Sequence, residues 1–325
     1  MAQPGDRPVP IHRPTPLIES DGFGTPEQKV WLKLECLQPS GSFKLRGIGH
    51  AAETHAAGGA RRLLSSSGGN AGIAVAYSGR QLGLPVLVVV PETASERAKA
   101  LMRRLGAEVN VHGRSWQEAN EHLATLRGPG DAFIHPFDDP LVWQGHATMI
   151  AEAATQRPKP GAVLLSVGGG GLMCGVLQGM HAAGWHDVPL VAVETRGAES
   201  LHAAVAAGRP VALPAITSLA TTLGARQVCD AAFEWTRRHE VHSITVSDDE
   251  AVSACLAVAD EHRLIVEPAC GAAVAAALQR QAAPLRSAAD VLLILCGGLS
   301  TTYEDLLKMA APRPDSTHPQ QETRA

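Results

Sequence analysis

Residues 42–47 read SFKLRG, directly behind the turn QPSG. Lys44 stands there between Phe43 and Leu45. A lysine so placed either reaches to solvent or is held in a pocket, where desolvation frees the neutral amine for imine formation. Three glycine-rich turns decide what such an amine would meet: SSSGGNAG at 65–72, VGGGGLMCG at 167–175 and LCGGLS at 295–300. Each closes an apolar run that reads as a strand, and ligands of open α/β sheets bind beyond such strand ends.

Gly168–Gly171 lies between an apolar strand and an apolar helix. Glycines let the backbone curl around an anion, and the N–H groups at the start of the next helix then hold a phosphate. Glu194 ends the following strand, where a ribose-binding acid of a dinucleotide site would fall. That keeps an NAD-binding oxidoreductase as the rival reading. However, the G-x-G-x-x-G frame fails, because its last place falls on Met173 or Cys174. No Gly-Lys-Ser/Thr follows either, so a P-loop fails too. A single phosphate on a small cofactor fits better. SSSGGNAG offers Ser67, helix-start N–H groups and the Asn70 amide to a carboxylate, with a plain helix cap as the alternative. A phosphate site, a carboxylate site and a sequestered lysine together suggest pyridoxal phosphate acting on an amino acid.

Strands and helices alternate to position these turns. KVWLKLE (29–35), RRLLSSS, PVLVVVP (85–91), EVNVHG, AVLLSV (162–167), PLVAVET (189–195) and ADVLLILCGG read as strands. Helices are expected over the sequence after SSSGG, over SERAKALMRRLGA with Gly106 behind it, and over SWQEANEHLATLRG with Ser115 as cap and Glu118 three residues on. GLMCGVLQGMHAAG, SDDEAVSACLAVADEHR capped by Ser247, and TTYEDLLKM with Thr301 and Glu304 as a capping box follow. Near-continuous apolar strands between helices imply an α/β fold with parallel sheets covered on both faces.

The bulk numbers allow one large domain or two moderate ones with a sizeable core, and exclude wholesale disorder. The chain has 325 residues, 45% hydrophobic and 18% charged, with a net charge of −4. No Lys/Arg block and no membrane-length apolar run appear, so neither nucleic acid nor membrane is an expected partner. MAQPGDRPVP lacks an apolar signal region. The six cysteines, Cys36, Cys174, Cys229, Cys255, Cys270 and Cys296, form no CxxC pair and are expected as reduced thiols in the cytoplasm. His239 and His242 read as a surface pair rather than metal ligands. The polar stretch 312–325 reads as a tail.

The three turns, with QPSGSFKLRGIGH, PFDDPLVWQGHA and VEPACGAA, resemble those of fold-type II pyridoxal-phosphate enzymes. This is the threonine dehydratase and tryptophan synthase β family, and within it the likeness is to serine dehydratases and serine dehydratase-like proteins. It covers roughly residues 9–300 in order. It implies two open twisted parallel-sheet domains with the cofactor in the cleft between them. The large domain is expected at 1–37 and 143–311, and the small one at 38–142. A homodimer is implied as well.

Carried onto this chain, the resemblance makes Lys44 the imine-forming and catalytic amine, with Phe43 over one face of the pyridine ring. Gly168, Gly169, Gly170, Gly171 and Leu172 would bind the phosphate, Asn70 the ring hydroxyl, and Cys296 would face the ring nitrogen. Ser67, Gly68, Gly69, Asn70 and Ala71 would bracket the substrate carboxylate. Glu194, Ala198, Ser200 and Leu223 resemble the family's monovalent-cation site, usually potassium. The implied reaction is deamination of L-serine to pyruvate and of L-threonine to 2-oxobutanoate, with Lys44 removing the Cα proton. Threonine dehydratase, serine racemase and other β-family lyases are the neighbouring alternatives. A thiol at the ring nitrogen, with a reference pKa near 8.5, holds a proton less firmly than an acid would, which favours elimination. Gly68 offers no side chain where racemases carry a serine, and is expected to loosen the pocket. Thr222 replaces a smaller residue of the family.

Overall fold

A computed structural model describes residues 9–311. The tail expected over 312–325 lies outside the described residues, as does most of the N-terminal stretch. The chain opens with β1 (Leu17–Thr25) and β2 (Gln28–Lys33), then α1 (Lys44–Ala57). It continues through β3 (Arg62–Ser65), α2 (Asn70–Leu82), β4 (Val86–Val90), α3 (Glu96–Arg104), β5 (Glu108–Val111), α4 (Trp116–Thr125) and β6 (Asp131–Phe133). Next come α5 (Pro140–Gln156), β7 (Ala162–Ser166), α6 (Gly171–Ala182), β8 (Leu190–Thr195), α7 (Ser200–Ala207), α8 (Asp230–Arg238) and β9 (Val241–Val246). It closes with α9 (Asp248–His262), α10 (Pro268–Gln279), α11 (Ala283–Ser287), β10 (Asp290–Ile294) and α12 (Tyr303–Ala310).

The strands form two sheets, a six-stranded one in the order β1-β2-β10-β7-β8-β9 and a four-stranded one in the order β5-β4-β3-β6. Every pairing is parallel except β1 with β2. β4, β7 and β8 are buried at every position, as strands covered by helices on both faces must be. β1 was not expected from the sequence, and it gives the larger sheet an antiparallel edge. β2 ends at Lys33, before the expected Glu35, which lies in a short 3-10 turn.

The helix starts follow their caps, with two corrections. Thr302, not Thr301, caps α12, and its reciprocal partner is Asp305, not Glu304. Both spacings fit the same motif, and the helix begins one residue later than expected. Ser115 accepts from the Glu118 N–H as expected, but the Glu118 carboxylate reaches back to the Arg114 N–H. His239 is also no surface residue. It is buried, with its ring bonded to His181 at 3.2 Å and to the Val188 carbonyl at 2.8 Å.

α1 is anchored by charge as well as packing. It crosses α5 where two glycines meet: a Cβ on Gly145 would come 2.7 Å from the Gly47 Cα. Within the first turn, the fully buried Arg46 donates to both oxygens of Glu35, at 2.7 and 2.8 Å, and to both oxygens of Glu152, at 2.7 Å each. Lys33 completes the set with a 2.9 Å bond to Glu152. Two cations and two anions thus join β2, α1 and α5.

Candidate active site

Lys44 is the first residue of α1, and two turns hold it there. The Phe43 N–H donates to the Cys296 carbonyl at 3.1 Å, and the Gly298 N–H to the Gly41 carbonyl at 2.8 Å. The LCGGLS turn therefore clasps the lysine turn. Gly297 and Gly298 have φ of 83° and 133°, a region closed to most side chains. Lys44 is half-buried as a residue, and the hydrogen-bond partner of its ammonium among the described residues is the Pro136 carbonyl, at 2.6 Å. With no carboxylate among those partners, desolvation lowers its pKa to about 8, against a smaller opposing pull from Cys296.

Pro136 opens the segment PFDDPLVWQGHA, in which the sequence marks no single residue for a role. Phe137, next to it, lies on the glycine turn: a Cβ on Gly169 would fall 2.3 Å from its ring, and one on Gly171 would fall 2.5 Å from its carbonyl oxygen. The Gly170 φ is 93°, and a Cβ there would meet the Ala232 methyl at 2.4 Å. The turn is glycine because three sides of it are already occupied. Beyond it the N–H groups of Gly171, Leu172 and Met173 open α6, where a helix provides no acceptor of its own. His135, beside Pro136, accepts the Asp138 N–H on Nδ1 at 2.8 Å. Burial, followed by the charge of Lys44, lowers its pKa to about 4, so the ring stays neutral.

The SSSGGNAG turn opens α2 in the same manner, with Asn70 and Ala71 in the first turn and Gly69 as cap. Ser67 Oγ accepts the Gly69 N–H at 3.3 Å. Gly68 does not loosen this turn as expected. A Cβ there would lie 2.7 Å from the Ala94 methyl, so neighbouring chain already fills the space. Asn70 is committed on both ends of its amide: Oδ1 accepts the Leu299 N–H at 3.0 Å, and Nδ2 donates to Glu267 at 2.8 Å. Glu267 was missed from the sequence. It is 1% exposed and also accepts from Thr222 and Ser300. Its only signal was a lone acid before Pro268 at a helix start.

Cys296 is buried, and its thiol is pushed well up, first by the neighbouring Cys270 and then by desolvation. It is an uncharged group just past the end of β10. All six cysteines are free. Phe43 packs tilted on His146, with ring centres 4.9 Å apart, and lies 5.1 Å from the Lys44 ammonium. Lys44 thus reaches the Cys296 turn through Phe43 and the glycine turn through Pro136 and Phe137, and Asn70 meets the Cys296 turn at Leu299.

Glu194, Ala198 and Ser200 lie together at the end of β8 and the start of α7. The Glu194 carboxylate is fully buried and accepts the Leu201 and His202 N–H groups at 2.8 Å each. Burial pushes its pKa up to about 8. Ser200 Oγ is buried without a hydrogen-bond partner among the described residues. Leu223 lies instead against the glycine turn, its Cα 3.1 Å from where a Cβ of Gly168 would be.

Comparison with known proteins agrees with this geometry. Residues 9–297 match the family model described as pyridoxal-phosphate dependent enzyme. The chain is 46% identical over 312 residues to a mouse protein named serine dehydratase-like, covering 92% of this chain and 94% of the relative. It is 44% identical to a human L-serine dehydratase/L-threonine deaminase, covering 91% of this chain and 94% of that one. Among solved structures, a fungal L-serine ammonia-lyase from Rhizomucor miehei superposes with a TM-score of 0.88 at 33% identity, over 93% of this chain and 98% of that one. The α/β fold is that of this solved structure, and the chain belongs to the family of pyridoxal-phosphate dependent enzymes.

Proposed function

We propose that the protein is an ammonia-lyase that converts L-serine to pyruvate and ammonia, and L-threonine to 2-oxobutanoate and ammonia. The observation that carries this reading is Lys44: an amine with a pKa lowered to about 8, tied to the glycine turn through Pro136 and Phe137 and clasped by the Cys296 turn. The names of the relatives support the substrate class.

Pyridoxal phosphate fits these residues. The glycine turn has room for no Cβ on three sides and opens a helix N-terminus. Gly168–Gly171 and Leu172 would hold the phosphate, Phe43 would cover a ring face, and Asn70 would donate to the ring hydroxyl with its remaining amide hydrogen. Cys296 would meet the ring nitrogen as a neutral thiol, which does not enforce protonation there. Bound in this way, the cofactor supplies a covalent hold on the amino group and an electron sink.

The chain's own groups do the rest. The turn of Ser67, Gly68, Gly69, Asn70 and Ala71 would bracket the substrate carboxylate, with the helix-start N–H groups of Asn70 and Ala71 as its donors. Lys44 Nζ, neutral in an appreciable fraction near pH 8, removes the Cα proton as general base. The Cβ–O bond then breaks, water leaves and re-enters on hydrolysis, and the net change is serine to pyruvate plus ammonia. Gly68 supplies no side-chain acid on the opposite face, which favours elimination over racemisation.

Glu194, Ala198 and Ser200 are assigned to a monovalent cation, potassium by family likeness; Leu223 belongs to that set by the likeness alone, since its backbone lies against Gly168. The unpartnered buried Ser200 hydroxyl beside a buried carboxylate supports that assignment. The grouping of strands into two sheets supports a large domain of 1–37 and 143–311 and a small one of 38–142. A cytoplasmic homodimer completes the reading. No helix among the described residues is long and apolar enough to cross a membrane.

One visible spectrum with a coupled pyruvate assay tests the proposal. The expected result is a yellow protein that loses its band on borohydride treatment and makes pyruvate from L-serine, with Lys44→Ala inactive. A protein that stays colourless and inactive after pyridoxal phosphate is added, or an active Lys44→Ala, would overturn it.

A further inference from the structure

One short segment, Thr221–Leu223, runs between the two anion-binding turns. Leu223 sets its backbone against Gly168 of the phosphate turn. Thr222, one residue earlier, faces the other turn: its Cγ2 methyl lies 3.6 Å from where a Cβ of Gly69 would be. Its hydroxyl turns elsewhere and donates to Glu267 Oε2 at 3.0 Å. Both groups sit on the same Cβ, so committing the hydroxyl to Glu267 commits the methyl to the Gly69 side.

Glu267 is a firm anchor. It is 1% exposed, its second oxygen is taken by Ser300, and Asn70 shares the oxygen that Thr222 uses. Thr222 itself is exposed. Its methyl therefore bounds open space rather than filling core.

We propose that Thr222 is a specificity-determining residue: its methyl, aimed by Glu267, narrows the cleft over the Ser67–Ala71 turn and selects L-serine over its β-methylated homologue L-threonine. The proposal rests on the function assigned above, in which that turn holds the substrate carboxylate. A side-chain substituent on a substrate so held shares the space between the turn and the Thr222 methyl. One added carbon in a tight site changes selectivity by about 10- to 200-fold.

The test uses the holoenzyme and three variants, Thr222→Ser, Thr222→Ala and Thr222→Val. The serine variant keeps the hydroxyl and deletes the methyl, and the valine variant does the reverse. The ratio of kcat/KM for L-threonine over L-serine is expected to rise about tenfold in the serine and alanine variants and not in the valine variant. Calorimetric Kd values for L-alanine and L-2-aminobutanoate give a second readout. These ligands differ by the same carbon and carry no hydroxyl to eliminate, and their gap should narrow in the same two variants. A serine variant within about threefold of wild type on both measures, or a valine variant that rises as far as alanine, would overturn the proposal. A wild type that binds both analogues but forms no pyruvate would overturn the assigned reaction instead, and the analogue gap would still judge Thr222.

Discussion

Replacing Arg46 by methionine removes the centre of the buried ion set while keeping most of the side-chain volume. The loss can be apportioned from the contacts. Glu152 keeps Lys33 at 2.9 Å, and its side chain is 20% exposed, so water reaches it. Glu35 is fully buried and, among the described residues, keeps the Thr15 hydroxyl at 2.7 Å and the Gln38 amide at 3.3 Å. A balanced set of two cations and two anions becomes one uncompensated carboxylate, located at Glu35. Breaking a buried pair in this way costs about 3–5 kcal/mol, a large share of the roughly 5–15 kcal/mol that stabilises a native protein. Urea unfolding followed by tryptophan fluorescence should show that loss. Adding Glu35→Gln should restore about 1–3 kcal/mol of it, because the stranded charge is then gone. The Arg46→Met deficit should also change little between low and high salt, since buried charges are weakly screened. A loss below about 1 kcal/mol, or no recovery in the double variant, would refute the account of α1 as charge-anchored.

Two further outcomes concern titration. In the cofactor-free protein, reductive trapping of Lys44 by a small aldehyde should rise with pH through a midpoint near 8, and a midpoint above 10 would contradict the desolvated site. The sign for stability follows: the fold disfavours the ammonium, so the penalty is fully present below about 8 and is relieved as pH rises toward the unfolded value near 10.4. Glu194 has a raised pKa of about 8, so its proton competes with any bound cation. Without a cation, the Glu194 contribution to stability is largest below its unfolded pKa and falls as pH rises toward 8. The stabilisation by potassium over a large organic cation should therefore grow with pH through that value, and a gain that is flat or absent across that range in thermal melts would remove the cation assignment.

Much of the site was legible in the sequence because its parts are glycine turns at strand ends, and glycine there answers to sterics that a reader can name. Lys44, the Gly168–Gly171 turn and the alternation of strands and helices fall in that class. What stayed hidden carries no local pattern. The Pro136 carbonyl is a backbone acceptor and has no sequence signature. Arg46 and Glu35 look like surface charges until both are found inside. Glu267 draws its meaning from Asn70, Thr222 and Ser300, which are far from it in sequence. β1 was missed because its burial does not alternate and it ends in GFGT. Thr302 was mistaken for Thr301 because adjacent threonines each have an acid three residues on.

The place of β10 sets an order on synthesis. All strands of the four-stranded sheet are present by Phe133, and they come from one continuous run of chain. The larger sheet cannot close until much later, because Val291 of β10 pairs with Val30 on one side and Ala162 on the other. Until the ribosome has released Ile294, β2 and β7 each show an unpaired apolar edge, the kind of edge that recruits other chains. The turn that clasps Gly41 and Phe43 follows immediately after. Lys44 is thus among the first candidate-site residues made and among the last to be seated, and a chain cut short before β10 would carry it on an open, aggregation-prone sheet.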